Sequence, residues 1–365
     1  MVRFSASDVA LTGFGVVRRR PVVLPWWILL HLIFMGVTSA LLLTIAGPAL
    51  TQLMALQAQH TPTDPATQAQ TFALFHQILP LYLVMIPIML AFYAVLFAAM
   101  NRAVLRPAKS AFGYLRLGVD EWRQFLLFLW AMVVALGAYI TLVVVGAIVA
   151  IIGIFIFAMV NKGEGATAAG AGTGAATLGV IAFVLIYMIA YIYVLVRLSL
   201  ASAMTFDTGK VSLLKSWRLT KGRFWSMFGA YFLAAVLSIV VSLLGLIVMY
   251  VAAMLVGGVG GLGFIFRPDM SSPAAYFTPA RLVYLVLGGG LYALVWPVLL
   301  TPSAAIYKAL TAAPDPTPAA WPSPYPEPLT PEPPPSPPPV SSPTPPESPP
   351  PHDPDAAALG DPAPP

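Results

Sequence analysis

Cysteine is absent from all 365 residues, which excludes disulfides, thiolate metal sites and cysteine nucleophiles and leaves His, Asp and Glu as conventional metal ligands. Charge is nearly as scarce, at 9% of residues against roughly 25% in an ordinary globular chain. The four histidines are scattered at positions 31, 60, 76 and 352, so no clustered acid–base set can be assembled from them. What is abundant instead is hydrocarbon. Hydrophobic residues make up 59% of the chain and the mean hydropathy is +0.83, a composition that belongs in a bilayer.

The few charges are unevenly placed. Residues 1–312 hold all nineteen Lys and Arg with seven acids, a net of +12, whereas residues 313–365 hold seven acids and no base. A basic body among membrane spans points to anionic lipid headgroups, not nucleic acid, as its partner. Residues 313–365 also contain 24 of the 37 prolines and cannot bury a core, so a disordered, acidic, Pro-rich tail is expected there. Its PxxP spacings, such as Pro331 to Pro334, have no nearby base, and a solvated spacer is the plainer reading than a recognition motif.

Six apolar runs follow one another at about 22–46, 78–100, 125–160, 179–205, 224–255 and 280–307. The first is preceded by Arg18, Arg19 and Arg20 and opens with Trp26 and Trp27. It is too long for a secretory signal, so an uncleaved anchor is expected, with the indoles at the headgroup level. His31 in this run reads as a packed or interfacial residue. Gly47, Pro48, Pro62 and Pro65 predict a turn and then a loop on the far side. The third run exceeds a bilayer's thickness and must tilt, project or break, with Gly146 and Gly153 as the candidate breaks. The Gly, Ala and Thr of residues 161–178 predict a flexible loop. Gly288, Gly289, Gly290 and Pro297 interrupt the sixth run and predict either close helix packing or an unwound segment.

Counted by side, sixteen Lys and Arg fall on the face that holds both termini and three on the other. The positive-inside rule then places both termini in the cytoplasm of a bacterial inner membrane. The expected organisation is a cytoplasmic segment at 1–22, a six-span domain at 23–310 and the tail at 313–365. The fold class is all-α, a polytopic helical membrane protein with two amphipathic cytoplasmic elbows.

Those elbows, 101–123 and 203–225, resemble each other at an offset of 102 residues, which points to a parallel repeat of helix, connector and helix. The second concentrates Lys210, Lys215, Arg218, Lys221 and Arg223 beside Trp217, and the first contributes Arg116. If 209–221 is helical, Val211, Leu214 and Trp217 form an apolar strip suited to the interface plane, with the cations held to anionic headgroups. Arg197 lies about two turns inside the fourth run, where a charge costs roughly 2.5–3.5 kcal/mol on insertion scales. Asp120, Glu121 and Asp207 are the carboxylates on that side outside the termini, so a pair between Arg197 and Asp120 or Glu121 is predicted.

Enzyme-like patterns lose their context here. Gly258, Gly260 and Gly263 fit GxGxxG, but no strand precedes them and they close a membrane span. His60, Asp64 and His76 share a loop in which Pro62 and Pro65 disfavour a helical ligand face, and no metal, cofactor or catalytic residue is assigned.

The segment RLSLASAMTFD at 197–207 with SWRLTKGRFW at 216–225 resembles a bacterial multi-pass membrane-domain family, related to the membrane domain of glycerophosphodiester phosphodiesterases. RAVLRP at 102–107 with YLRLGVDEWR at 114–123 resembles its uncharacterised alphaproteobacterial variants. The resemblance covers about 5–310 and implies the membrane fold. It implies no catalytic residue, because the phosphodiesterase site belongs to a separate soluble barrel. The leading expectation is a non-enzymatic scaffold or accessory factor whose elbows contact anionic lipid. The alternative is a small transporter or permease using Arg197 and the interrupted sixth span, and an enzyme of lipid metabolism comes third.

Overall fold

The computed structural model describes residues 4–58, 64–108, 111–160, 166–258, 260, 263 and 268–312. The acidic tail, His60, Lys109, Lys162, Arg267 and part of the 258–263 glycine motif lie outside that set. The described residues are almost entirely helical, and six of their helical stretches are long and apolar enough to cross a membrane. In order these helices are α1 (Ala6–Ala10), α2 (Thr12–Arg19), α3 (Val23–Leu41), α4 (Gly47–Ala58), α5 (Pro65–Leu105) and α6 (Val119–Val160). They are followed by α7 (Ala166–Leu198), α8 (Ala201–Thr208), α9 (Lys215–Leu219), α10 (Phe224–Gly257), α11 (Pro273–Tyr276) and α12 (Pro279–Thr311).

Two breaks expected from glycine and proline do not occur, and most of the stretch expected as a third is helical. Helix α3 passes into α4 through a wider π-helical turn at Leu42–Ala46, so the chain stays helical across Gly47 and Pro48. Pro48 brings no N–H to the carbonyl four residues before it, and the wider turn accommodates that mismatch. Helix α6 runs unbroken through Gly146 and Gly153, since a helical glycine costs only about 1 kcal/mol. Gly146 instead admits Phe183 of α7, which an added Cβ would approach to 3.2 Å. Helix α7 begins at Ala166, so 166–178 of the stretch expected as a loop is helical, while 161–165 lies outside the described residues. At 42 residues α6 is about 63 Å long and projects well beyond a ~30 Å hydrocarbon core. The stretch from Pro65 to Gln77, expected as part of a loop on the far side, is also helical, because proline is tolerated in the first turn of a helix. Pro65 takes the first turn of α5 and the Asp64 carboxylate accepts from the Ala66 amide.

The sixth span is helical throughout, and its glycines serve packing. A Cβ on Gly289 would come within 2.9 Å of Leu32 on α3, and one on Gly288 within 3.3 Å of Met249 on α10. Gly245 of α10 in turn lies against Leu291. These close approaches make α12 the hub, in contact with α2, α3, α5, α8 and α10. Away from the hub the surface is apolar: Ile154 and Phe155 of α6 and Ile186 and Ile189 of α7 are exposed by 60% or more. Exposure of that extent is stable only against lipid, and the chain is a multi-pass membrane protein.

Asn101, Ser202 and Ser303 recur at a spacing of 101 residues, and the stretches 98–104, 200–206 and 300–304 around them are buried throughout, which sets out three successive segments, called repeats below. The last turns of α5 and α12 and the short α8 therefore converge at one end of the molecule. Each repeat is introduced by an elbow: the N-terminal α1–α2, the connector 106–118 and the connector 209–223. The opposite end is closed by α11, where Tyr276 and Met270 bury Leu43 and Arg281 donates to the Tyr276 hydroxyl at 2.8 Å.

Candidate functional site

The converging helix ends place most of the protein's buried charge together. Arg102, on the last turn of α5, is 3% exposed and donates to Glu121 Oε1 at 2.7 Å. The Asp120 carboxylate stands 3.6 Å from the same guanidinium, 3.4 Å from Arg123 and 4.0 Å from Arg106. Both acids lie in the first turn of α6, where a negative charge also suits the helix dipole. Arg106 and Arg102 are further placed 4.7 and 5.5 Å from the centre of the Phe206 ring, tying α5 to α8.

Arg102 also donates to the carbonyl of Tyr114, which ends an unusual turn. Phe112, Gly113 and Tyr114 all have positive φ, between 51° and 66°, a conformation that costs the two aromatic residues of order 1–3 kcal/mol each. The surroundings hold it. Trp27 Nε1 donates to the Gly113 carbonyl at 2.8 Å, Tyr114 Oη donates to the Pro107 carbonyl, and a Cβ on Gly113 would lie 2.8 Å from the Cβ of Trp26. Beneath this turn Asn101, Gln124 and Ser202 form a closed buried network. Asn101 donates to Ser202 Oγ, Ser202 donates to Gln124 Oε1 and Gln124 returns to the Ser202 carbonyl, each at 2.9 Å. The third repeat joins through Tyr307, whose hydroxyl donates to Asp207 at 2.9 Å.

The expected pairing of Arg197 with Asp120 or Glu121 is not present, because Arg102 already holds both carboxylates. Arg197 is buried at the other elbow, 4.9 Å from the Trp217 ring centre and 5.9 Å from that of Tyr193. Its carbonyl accepts from Ser216 and Thr220, so the second elbow is fastened to the end of α7 by backbone and ring face together. This also changes the second elbow's shape. Gly209 ends α8 in a left-handed conformation, and within 209–221 only Lys215–Leu219 of α9 is helical. Trp217 is half-buried on Arg197, while Val211 and Leu214 remain exposed.

The remaining cations point outward. Arg18, Arg19, Arg20, Arg116, Lys210, Lys215, Arg218 and Lys221 are exposed and Arg223 is half-buried, and none forms an ion pair among the described residues. Large apolar side chains are interspersed with them, notably Val22, Phe112, Leu117, Trp122, Leu214 and Trp225. His31, in contrast, is packed between Phe92 and Tyr292 with Nδ1 2.7 Å from the Trp27 carbonyl, and His76 is exposed on α5. No group of three or more potential metal-ligating side chains occurs among the described residues.

Between the N-terminal helices and the ends of α5 and α12 lies an open cleft of about 670 Å³. Asp8, Arg19, Arg20 and Lys308 contribute its charges, and Leu11, Val16, Ala103 and Val104 part of its apolar wall. Sequence reasoning assigned no role to Arg102 or to this cleft. Compared with family models, curated proteins and solved structures, the chain matches none.

Proposed function

We propose that this multi-pass protein is a non-enzymatic scaffold or accessory factor of a bacterial inner membrane, with both termini cytoplasmic and a basic elbow face that holds anionic lipid. One observation carries the reading. The acids of the two connectors and of α8 are consumed internally, Asp120 and Glu121 by three arginines and Asp207 by Tyr307, while the elbow cations face outward among exposed aromatic and aliphatic side chains. An anionic leaflet offers each such cation about 1 kcal/mol and offers the apolar side chains a place among acyl chains. The helical continuity of α12 through Gly288–Gly290 and Pro297 provides no unwound segment of the kind a transport site uses.

Tryptophan fluorescence in vesicles containing brominated lipid tests the reading, since Trp26, Trp122 and Trp225 are exposed at the elbow end, whereas Trp27, expected with Trp26 at the headgroup level, is fully buried on the 112–114 turn. Brominated phosphatidylglycerol is expected to quench several-fold more effectively than brominated phosphatidylcholine at equal mole fraction. A variant with Arg116, Lys210, Lys215, Arg218, Lys221 and Arg223 changed to Gln should lose most of that preference, as should the native chain in high salt. Equal quenching by the two lipids in the native chain contradicts the proposal.

A further inference from the structure

The cleft differs from the rest of the basic face in being concave and in carrying charges of both signs on its walls. Arg19 and Arg20 reach it from the last turn of α2 and its cap, Lys308 from the last turn of α12, and Asp8 from α1. Among the described residues no ion pair joins Asp8 to any of these cations, although all four line one space. Charges of opposite sign that share a cleft without pairing leave room for an occupant that meets both. Its dimensions, about 670 Å³, fall within the range of small-molecule sites, roughly 300–1,000 Å³.

The lining defines the occupant's chemistry. Three cations against one carboxylate favour a ligand with net negative charge, and Arg and Lys donors suit phosphate oxygens. Asp8 accepts only, so the ligand should carry a hydroxyl or ammonium donor near that phosphate. Leu11, Val16, Ala103, Val104 and Ala305 provide a hydrocarbon wall, which an inorganic ion would not use. One wall also ends at Pro107 and Tyr114, so the cleft is built on the left-handed turn held by Arg102 and Trp27.

We infer that this cleft is a stoichiometric site for a phosphate-bearing amphiphile with a donor-bearing headgroup, of the phosphatidylglycerol type, the phosphate held by Arg19, Arg20 and Lys308 and the headgroup donor by Asp8. The inference rests on the lipid reading of the basic face and adds to it one specific site. A single bound lipid at this place bridges the N-terminal elbow to the ends of the first and third repeats.

Gly15 offers a clean test, because it lines the cleft and a Cβ built on it meets nothing within 4 Å. Gly15→Phe therefore fills the space while retaining every charge. The full-length chain, delipidated in a neutral detergent, is titrated with dioctanoyl phosphatidylglycerol and followed by native mass spectrometry, with circular dichroism and gel filtration confirming each variant's fold. One lipid per chain is expected to bind, with inorganic phosphate and dioctanoyl phosphatidylcholine at least about tenfold weaker. Gly15→Phe and the triple variant R19Q/R20Q/K308Q should each weaken that binding by about tenfold or more. K215Q/R218Q/K221Q should leave it within about twofold while reducing the vesicle preference described above. Undiminished one-to-one binding in folded Gly15→Phe overturns the site, as does loss of that binding in K215Q/R218Q/K221Q. Phosphate binding as tightly as the lipid overturns the assignment to an amphiphile. Absence of any vesicle preference in the native chain, with retention of the cleft's single lipid, would instead count against the wider surface reading and leave the site standing.

Discussion

Arg102→Ala should cost about 3–5 kcal/mol of stability, the loss expected when one member of a buried ion pair is removed and the other stays behind. The side chain is 4% exposed, and the Glu121 carboxylate it serves at 2.7 Å is 7% exposed, so solvent cannot take its place. The loss would reach the elbow as well. Without the guanidinium the Tyr114 carbonyl loses its donor, and the strained turn at 112–114 retains Trp26, Trp27 and its internal contacts. Asp120 would remain near Arg106 and Arg123, which is why Glu121 is the group stranded. The measurement is equilibrium unfolding in mixed micelles, comparing R102A, E121Q and the apolar pair R102M/E121L. Replacing both members removes the desolvated charge along with its partner, so the double variant should be more stable than R102A. A double variant that loses the sum of both single losses would show that the pair is not what holds this end.

Gly13→Ala should release the N-terminal helices from the six-span domain, whereas Gly15→Ala, two residues on, should not. A Cβ on Gly13 would lie 2.5 Å from the Pro297 carbonyl oxygen and 2.6 Å from the Val298 nitrogen. Both are backbone atoms of α12, so no rotamer change relieves the clash and α2 must move. Overpacking of this kind costs about 1–3 kcal/mol, and here it concentrates on a short helix that α12 holds in place. Gly15 has open space at its Cβ, and alanine there gains about 1 kcal/mol of helix propensity. Limited trypsin proteolysis reads the difference: rapid cleavage after Arg18 or Arg19 in G13A, and native or slower cleavage in G15A. Equal protection of both would mean that α2 is not seated on α12.

Much of the fold is legible in the sequence because a bilayer imposes a coarse rule. Six apolar runs, separated in part by basic elbows, become six long helices. The errors share a cause. Gly47–Pro48, Gly146 and Gly153 look like interruptions, yet Gly47 lies against Met270 and Gly146 against Phe183, information that lies in the partners, whereas Gly288 and Gly289 follow the close-packing alternative.

At the candidate site the sequence shows which residues are charged but not which are spent. Arg102, Arg106 and Arg123 are indistinguishable in composition from Arg116 and Lys215, and only the fold places the first three on carboxylates. One signal for Arg102 does exist. In the 101-residue register its counterparts are Ala203 and Ala304, both buried, and a charge in a place otherwise filled by buried alanine requires a partner. Arg197 offered no such clue, because the ring that covers it, Trp217, was read as a membrane anchor.

The account turns on the elbow face being occupied by anionic lipid in the cell. Lipids that co-purify with the full chain after extraction of native membranes in a gentle detergent, quantified against the bulk membrane, test this most directly. The account predicts severalfold enrichment of phosphatidylglycerol-type lipids over their bulk fraction, with most of it lost in the elbow variant lacking Arg116, Lys210, Lys215, Arg218, Lys221 and Arg223. A co-purifying composition equal to that of the bulk membrane would contradict it.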